Sequence, residues 1–254
     1  MKPITLLTDF GDFYPGVMKG VILKLCPNAT IIDITHSIEP QNIYQGAFLL
    51  YHSYKFFPDA IHVAIVDPGV GSDRKALIIE CKNHIFIGPD NGILYPSAIE
   101  DKIKRIWVIN EDKTSKVTGV LSSTFHGRDV FAPASAYVLL NKIDDIAEQY
   151  NGEIVKLNLF DYKVQEDVIK CRVIYIDKFG NAITNVKEED IEDAKGFYYQ
   201  GVKFPLVNTY SDVEVGKPLA LIGSFGTLEL SVRNGNAAKM FGFKSGEIEL
   251  RVIR

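Results

Sequence analysis

Residues 4–12 read Ile4-Thr5-Leu6-Leu7-Thr8-Asp9-Phe10-Gly11-Asp12. The short apolar run at its start, rich in residues that suit a pleated surface, predicts a strand. It stops at an Asp-Phe-Gly-Asp turn, and residues 14–25 continue as a helix-length stretch. Strand, glycine-bearing turn, helix is the opening of an α/β layer fold. The rhythm repeats outward. Residues 30–34, 61–66, 76–81, 84–87 and 105–109 read as further strands, and 42–56 and 129–141 as helices. Within 42–56, Ile43, Ala47, Leu50 and Tyr54 fall on one helical face. The order predicts an α/β domain over residues 1–160 with a mostly parallel sheet.

Beyond that point the period changes to two. Cys171, Val173 and Tyr175 alternate with Arg172, Ile174 and Ile176, and Ile248, Leu250 and Val252 alternate with Glu247, Glu249 and Arg251. Gln200-Gly201 between two apolar runs predicts a hairpin turn. A short acidic helix is expected over 188–194. Residues 161–254 are therefore expected to form a smaller antiparallel β-barrel domain.

Composition agrees with a folded chain. The 254 residues are 46% hydrophobic and 24% charged, close to globular averages. Net charge is −4, from 32 acidic and 28 basic residues, so a nucleic-acid backbone is not the expected partner. Three widely spaced cysteines, Cys26, Cys81 and Cys171, argue against a disulfide framework and predict buried thiols. No leader pattern and no apolar run of about 20 residues is visible. A cytoplasmic protein without a membrane partner is expected.

The polar turns carry the candidate chemistry. Asp9 follows the first strand, Asp67-Pro68-Gly69-Val70-Gly71-Ser72-Asp73-Arg74 the third, and Gly88-Pro89-Asp90-Asn91-Gly92 the fifth. Asp, Gly and Pro are ordinary turn formers, but three such loops at equivalent strand ends point to one crevice, because α/β sheets bind ligands outside their carboxyl edges. Asp9 suits two roles: accepting both hydroxyls of a ribose, or capping the following helix, as Asp12 also can. Arg74 is placed to pair Asp67 through a bidentate contact, the bland version being a surface ion pair worth at most about 1 kcal/mol. No Gly-Lys-Ser/Thr follows, so a Walker-type loop is excluded. His126, in Ser122-Ser123-Thr124-Phe125-His126-Gly127-Arg128-Asp129, precedes a predicted helix, where the dipole favours the neutral imidazole that accepts a proton. In the second domain, Asp177-Lys178-Phe179-Gly180-Asn181 and the small, polar stretch 224–238 stand out.

Taken together and in this order, these motifs resemble the S-adenosylmethionine hydroxide adenosyltransferase family, relatives of the bacterial fluorinase and chlorinase. The resemblance spans essentially the whole chain. It implies an N-terminal α/β domain, a C-terminal β-barrel and a homotrimer whose ligand sites use one subunit's first domain and a neighbour's second. It implies attack of a water-derived nucleophile on the ribose C5′ of S-adenosyl-L-methionine, yielding adenosine and methionine. Some members act on the (R)-sulfonium epimer. By this resemblance Asp67, Arg74 and His126 activate water, and Asp9 holds the ribose. Asp177 and Ser224 hold the methionine end and Asn181 reaches the nucleoside, while Glu229 and Val232 lie on the strand beside the ligand. No cofactor or metal is implied, the small molecule being the substrate. A carboxylate at Asp67 repels a halide and helps water lose a proton, which favours hydrolase over halogenase. Two other readings fit the same residues: a metal-dependent phosphohydrolase built on Asp9, Asp12, Asp67 and Asp90, and a non-catalytic nucleoside sensor.

Overall fold

The computed structural model describes residues 2–254. The chain divides into a first unit ending at Leu157 and a second from Asn158 to Arg254.

The first unit runs β1 (Ile4–Thr8), α1 (Phe13–Leu25), β2 (Ile31–Thr35), α2 (Ile43–Ser53), β3 (Ile61–Ile65), β4 (Ala76–Glu80), β5 (Ile85–Pro89), α3 (Tyr95–Glu100), β6 (Arg105–Ile109), α4 (Glu111–Ser115), α5 (Ala132–Leu139) and β7 (Ala147–Gln149). The sheet order is β2-β1-β3-β5-β4-β6-β7. Strands β1 and β3 are buried at every position, as expected for central strands covered on both faces. On one face Ile4, Leu6, Val63 and Ile65 form a core with Met18 and Ile22 of α1 and Ala134 and Val138 of α5. The alternate residues turn to the other face, where α2 packs on β1 and β3. Asn42 caps α2, its side chain accepting from the Gln45 N–H at 3.0 Å. The expected helix over 42–56 ends in a tight 3₁₀ turn, Tyr54–Phe56. The one expected over 129–141 begins as a π-helical turn, Gly127–Phe131, before α5.

The expectation of a mostly parallel sheet is corrected. β2, β1, β3 and β5 run parallel, but β4 is antiparallel to both β5 and β6, and β6 to β7. The sheet is mixed. The cause is connection length. Cys81 to His84 is all that separates β4 from β5, and a parallel crossover needs a dozen or more residues. The half that stays parallel is the half that matters for the three polar loops: β1, β3 and β5 are adjacent and parallel, so the loops after them emerge at one edge.

The second unit contains β8 (Lys163–Gln165), β9 (Val168–Ile176), β10 (Ala182–Lys187), β11 (Gly196–Tyr199), β12 (Val202–Pro205), β13 (Pro218–Ile222), β14 (Thr227–Val232), α6 (Ala237–Phe241) and β15 (Gly246–Ile253). The path β12-β11-β15-β9-β10-β14-β13 is antiparallel throughout. A bridge from Leu206 to Ala220 brings its two ends together into a near-barrel. Gln200 and Gly201 both have positive φ, 48° and 81°, the signature of the tight turn expected there. Of the acidic helix expected over 188–194 only a 3₁₀ turn, Glu188–Asp190, forms. The core gathers Ile169, Val173, Phe197, Phe204, Leu228, Leu230 and Leu250. All three cysteines are buried and unbridged. Among the described residues no helix is long and apolar enough to cross a membrane.

Candidate active site

At the shared carboxyl edge of the first unit, Arg74 is the hub. Its Nε donates to Asp67 Oδ1 and Oδ2 at 3.2 and 3.0 Å, and Nη2 donates to Oδ2 at 2.7 Å. The same Nη2 lies 2.7 Å from His126 Nδ1, and Nη1 donates to Glu111 Oε1 at 3.1 Å. The side chains of Arg74, Asp67 and His126 are only 9%, 5% and 4% exposed. This is not the surface ion pair of the bland reading. The guanidinium also lies over the Phe131 ring, 5.4 Å from its centroid.

A guanidinium has only donors and stays charged, so the 2.7 Å contact calls for a lone pair on His126 Nδ1. Glu111 is the member that sequence reasoning missed. Its carboxyl is held below the usual carboxylate range by the His126 imidazole and then the Arg74 guanidinium, against burial, which pushes it up.

Local structure explains the convergence. The loop from Asp67 to Arg74 is folded by Val70 N–H to Asp67 O (3.2 Å), Ser72 N–H to Gly69 O (3.1 Å) and Ser72 Oγ to Gly69 O (2.7 Å). Gly71, at φ +77°, lies so close to Ser123 that a Cβ there would sit 2.5 Å from the Ser123 carbonyl oxygen. This contact ties the Asp67–Arg74 loop to the segment leading into His126. That segment is pinned in turn by the buried Asp129, which accepts from Thr118 Oγ1 (2.9 Å), Ser122 N–H (2.9 Å) and Arg128 Nε (2.7 Å). Phe10, next to Asp9, meets Phe125, next to His126, edge to face at 6.0 Å.

The other expected residues are placed as follows. Asp9 Oδ2 accepts from the Gln41 N–H at 2.8 Å. Asp12 precedes α1 and makes no side-chain cap, so the capping role considered for both residues is not the one they play. Asp90 is spent within the unit, accepting from Val155 N–H at 2.8 Å with Lys75 Nζ at 3.9 Å. No group of three metal-ligating side chains gathers among the described residues, so Asp9, Asp12, Asp67 and Asp90 do not form the cluster that the phosphohydrolase reading needs.

In the second unit, Asp177 folds its own loop. Oδ1 accepts from Phe179 N–H (2.9 Å) and Asn181 N–H (3.0 Å), and Oδ2 from Asn181 Nδ2 (3.0 Å). Asn181 is thereby held in place and nearly buried. Glu229 Oε1 accepts from Tyr210 Oη at 2.5 Å and Ser231 Oγ at 2.7 Å. Ser224 is exposed in the turn between β13 and β14. Val232 joins Leu228 and Leu230 in the apolar core, so its side chain is a packing group, not a polar contact.

Comparison with known proteins agrees along the whole chain. Residues 4–147 match the SAM hydroxide adenosyltransferase N-terminal domain and residues 171–248 its C-terminal domain. The (R)-S-adenosyl-L-methionine hydrolase of Methanocaldococcus jannaschii is 40% identical over 93% of this chain and 90% of its own. The protein of that name from Thermus thermophilus is 32% identical over 97% and 98%. A crystal structure of an uncharacterized conserved protein from Thermotoga maritima superposes with a TM-score of 0.86 at 31% identity, covering 99% of this chain and 100% of that one. On the extent of these matches, the chain belongs to the SAM hydroxide adenosyltransferase family.

Proposed function

We propose that this protein hydrolyses S-adenosyl-L-methionine, as its (R)-sulfonium epimer, to adenosine and methionine. The family and the names of the full-length relatives support the reaction class. The observation that carries it is the buried guanidinium of Arg74 bonded at once to Asp67, Glu111 and His126.

The chemistry suits such a cluster. The oxygen of a water attacks C5′ in line with the C5′–S bond. An O–C5′ bond forms, and the C5′–S bond breaks with its electron pair going to sulfur. Methionine leaves as a neutral thioether, so no general acid is needed. The difficulty is the nucleophile, because bulk water has a pKa of about 15.7. Arg74 supplies positive potential where hydroxide character develops. Asp67 and His126 orient the water and take its proton, which then passes to solvent. A placed base is worth about 10²–10⁴-fold, and in-line positioning adds to that. A halide has no proton to give and meets two carboxylates here, so water is the favoured nucleophile.

In this reading Asp9 holds the ribose hydroxyls with Oδ1, which has no partner among the described residues. Asp177 and Ser224 hold the methionine end, Asn181 the nucleoside, and Glu229 buttresses that strand. A homotrimeric, cytoplasmic enzyme without cofactor or metal completes the proposal.

The test is to incubate the protein with each sulfonium epimer in ¹⁸O-water and analyse products by chromatography and mass spectrometry. Labelled adenosine with equimolar methionine is expected, unaffected by chelator. Bound ligand without product means a sensor, and turnover lost on chelation means metal chemistry; either overturns the proposal. Asp67→Ala or His126→Ala keeping full turnover in folded protein refutes the assigned roles.

A further inference from the structure

Two neighbours make opposite demands on one nitrogen. Arg74 Nη2, at 2.7 Å from His126 Nδ1, can only donate, and so needs a lone pair there. Glu111 Oε1, at 3.4 Å from the same Nδ1, can only accept when ionised, and so needs an N–H. Satisfying Arg74 leaves the proton on Nε2, and an imidazole with Nε2–H is a donor, not a base. Satisfying Glu111 puts the proton on Nδ1 and leaves Nε2 bare. The pair therefore controls which role His126 plays. We infer that Glu111 is a positioning residue that takes the Nδ1–H of His126 during turnover and so makes Nε2 the base for the attacking water. This rests on the proposed hydrolysis.

The architecture supports a dedicated role. Glu111 opens α4, whose start is fixed by Asn110, the side chain of which accepts from Lys113 N–H at 3.0 Å. Buried Thr114 closes on the Glu111 carbonyl through Oγ1 at 3.0 Å. Glu111 also takes Arg74 Nη1, so the guanidinium stays anchored when Nη2 releases His126 and keeps Asp67. The charged groups about His126 are then Arg74 and Asp67 from the loop after β3 and Glu111 from α4. On its own turn, Arg128 and Asp129 neutralise each other at 2.7 Å. The step balances: before attack the ring gives its Nε2 proton to solvent and takes one from solvent at Nδ1, where Glu111 holds it; the water proton then goes to Nε2, and the imidazolium later returns one proton to solvent.

Glu111→Gln keeps size and removes charge. In it, kcat is expected to fall about 10²-fold, with KM changed less than threefold. The acid limb of the pH–rate profile should move to lower pH, because the protonated ring loses its anion. Glu111→Asp, which retains the charge, should restore much of the rate and the position of the limb. Imidazole ¹⁵N spectra of His126 give a readout independent of turnover: Nδ1-protonated character seen in the parent protein should vanish in Glu111→Gln. Should Glu111→Gln not fold, Glu111→Ala is read in its place by the same spectra and profile. A folded variant within threefold of the parent kcat, with an unmoved limb and unchanged spectra, overturns the inference while leaving hydrolysis standing. A parent protein that forms no adenosine overturns both.

Discussion

Gly71→Ala separates the contribution of loop docking from that of the catalytic groups, because no side chain of the cluster is touched. Two costs arise. At φ +77° an L-residue is disfavoured by about 1–2 kcal/mol. In addition, the new Cβ would lie 2.5 Å from the Ser123 carbonyl oxygen, against the 3.0 Å below which real Cβ contacts essentially never fall. The two loops must part by about 0.5 Å or more, and overpacking of this kind costs about 1–3 kcal/mol. Gly216 supplies the control, since it has φ +79° and open space around its Cβ position. Gly216→Ala should cost the backbone term alone and leave turnover intact. Gly71→Ala should lose the further packing term and, because Asp67–Arg74 and His126 sit on the two parted loops, at least about tenfold in kcat. A 1 Å misplacement can cost about 10²-fold. Urea unfolding and chromatographic assay of adenosine measure the two quantities. Equal stability losses in the two variants, with kcat of Gly71→Ala unchanged, refute the idea that this contact sets the geometry.

Arg74→Lys should lower kcat about 10²-fold or more, because one ammonium cannot replace a planar fork serving three partners; activity within threefold of the parent argues against the hub role. Acid should destabilise the fold through buried histidines. Burial and then His84 push His62 down to about 3, and burial and then Lys55 push His52 down to about 4. Between pH 6.5 and those values the unfolded imidazoles bind protons that the folded ones refuse, so stability is present above 6.5 and lost as pH falls. The slope is at most about 1.4 kcal/mol per pH unit for His62, and urea midpoints from pH 7 to 5 should drop more steeply in the parent than in His62→Gln. Burial pushes the Cys81 and Cys171 thiols up to about 12 and raises Cys26, so a thiol-disulfide reagent at pH 8 should label the native protein slowly and all three cysteines after denaturation. Rapid labelling of native protein contradicts their burial.

Much of the site was legible because its signals are local. Glycine and aspartate after β1, β3 and β5 mark loops, and the parallel run of those strands puts the loops on one edge. Asp67 and Arg74 are seven residues apart, close enough to foresee their pairing. Glu111 was not legible, for the same reason that the sheet direction was misread. Its neighbourhood, Asn110-Glu111-Asp112-Lys113, looks like any solvated helix start. Only the antiparallel register of β4 and β6, in which Leu77 faces Val108, carries the residue three places before Leu77 toward the residue three places after Val108. These are Arg74 and Glu111. The four residues between β4 and β5 held the clue, being too few for a crossover. The π-helical turn at Gly127–Phe131 has no sequence signature, and neither has the Gly71–Ser123 approach, which depends on two segments remote in the chain.

The reversal of β4 has a wider consequence. In a sheet of uniform direction the reactive rim draws only on what trails each strand, and such stretches can lengthen freely into surface loops. Here the hub residue leads into a strand instead, so the span from Asp67 to Arg74 is moored at both ends by β3 and β4. Insertions in that span would be expected to dismantle the reactive rim.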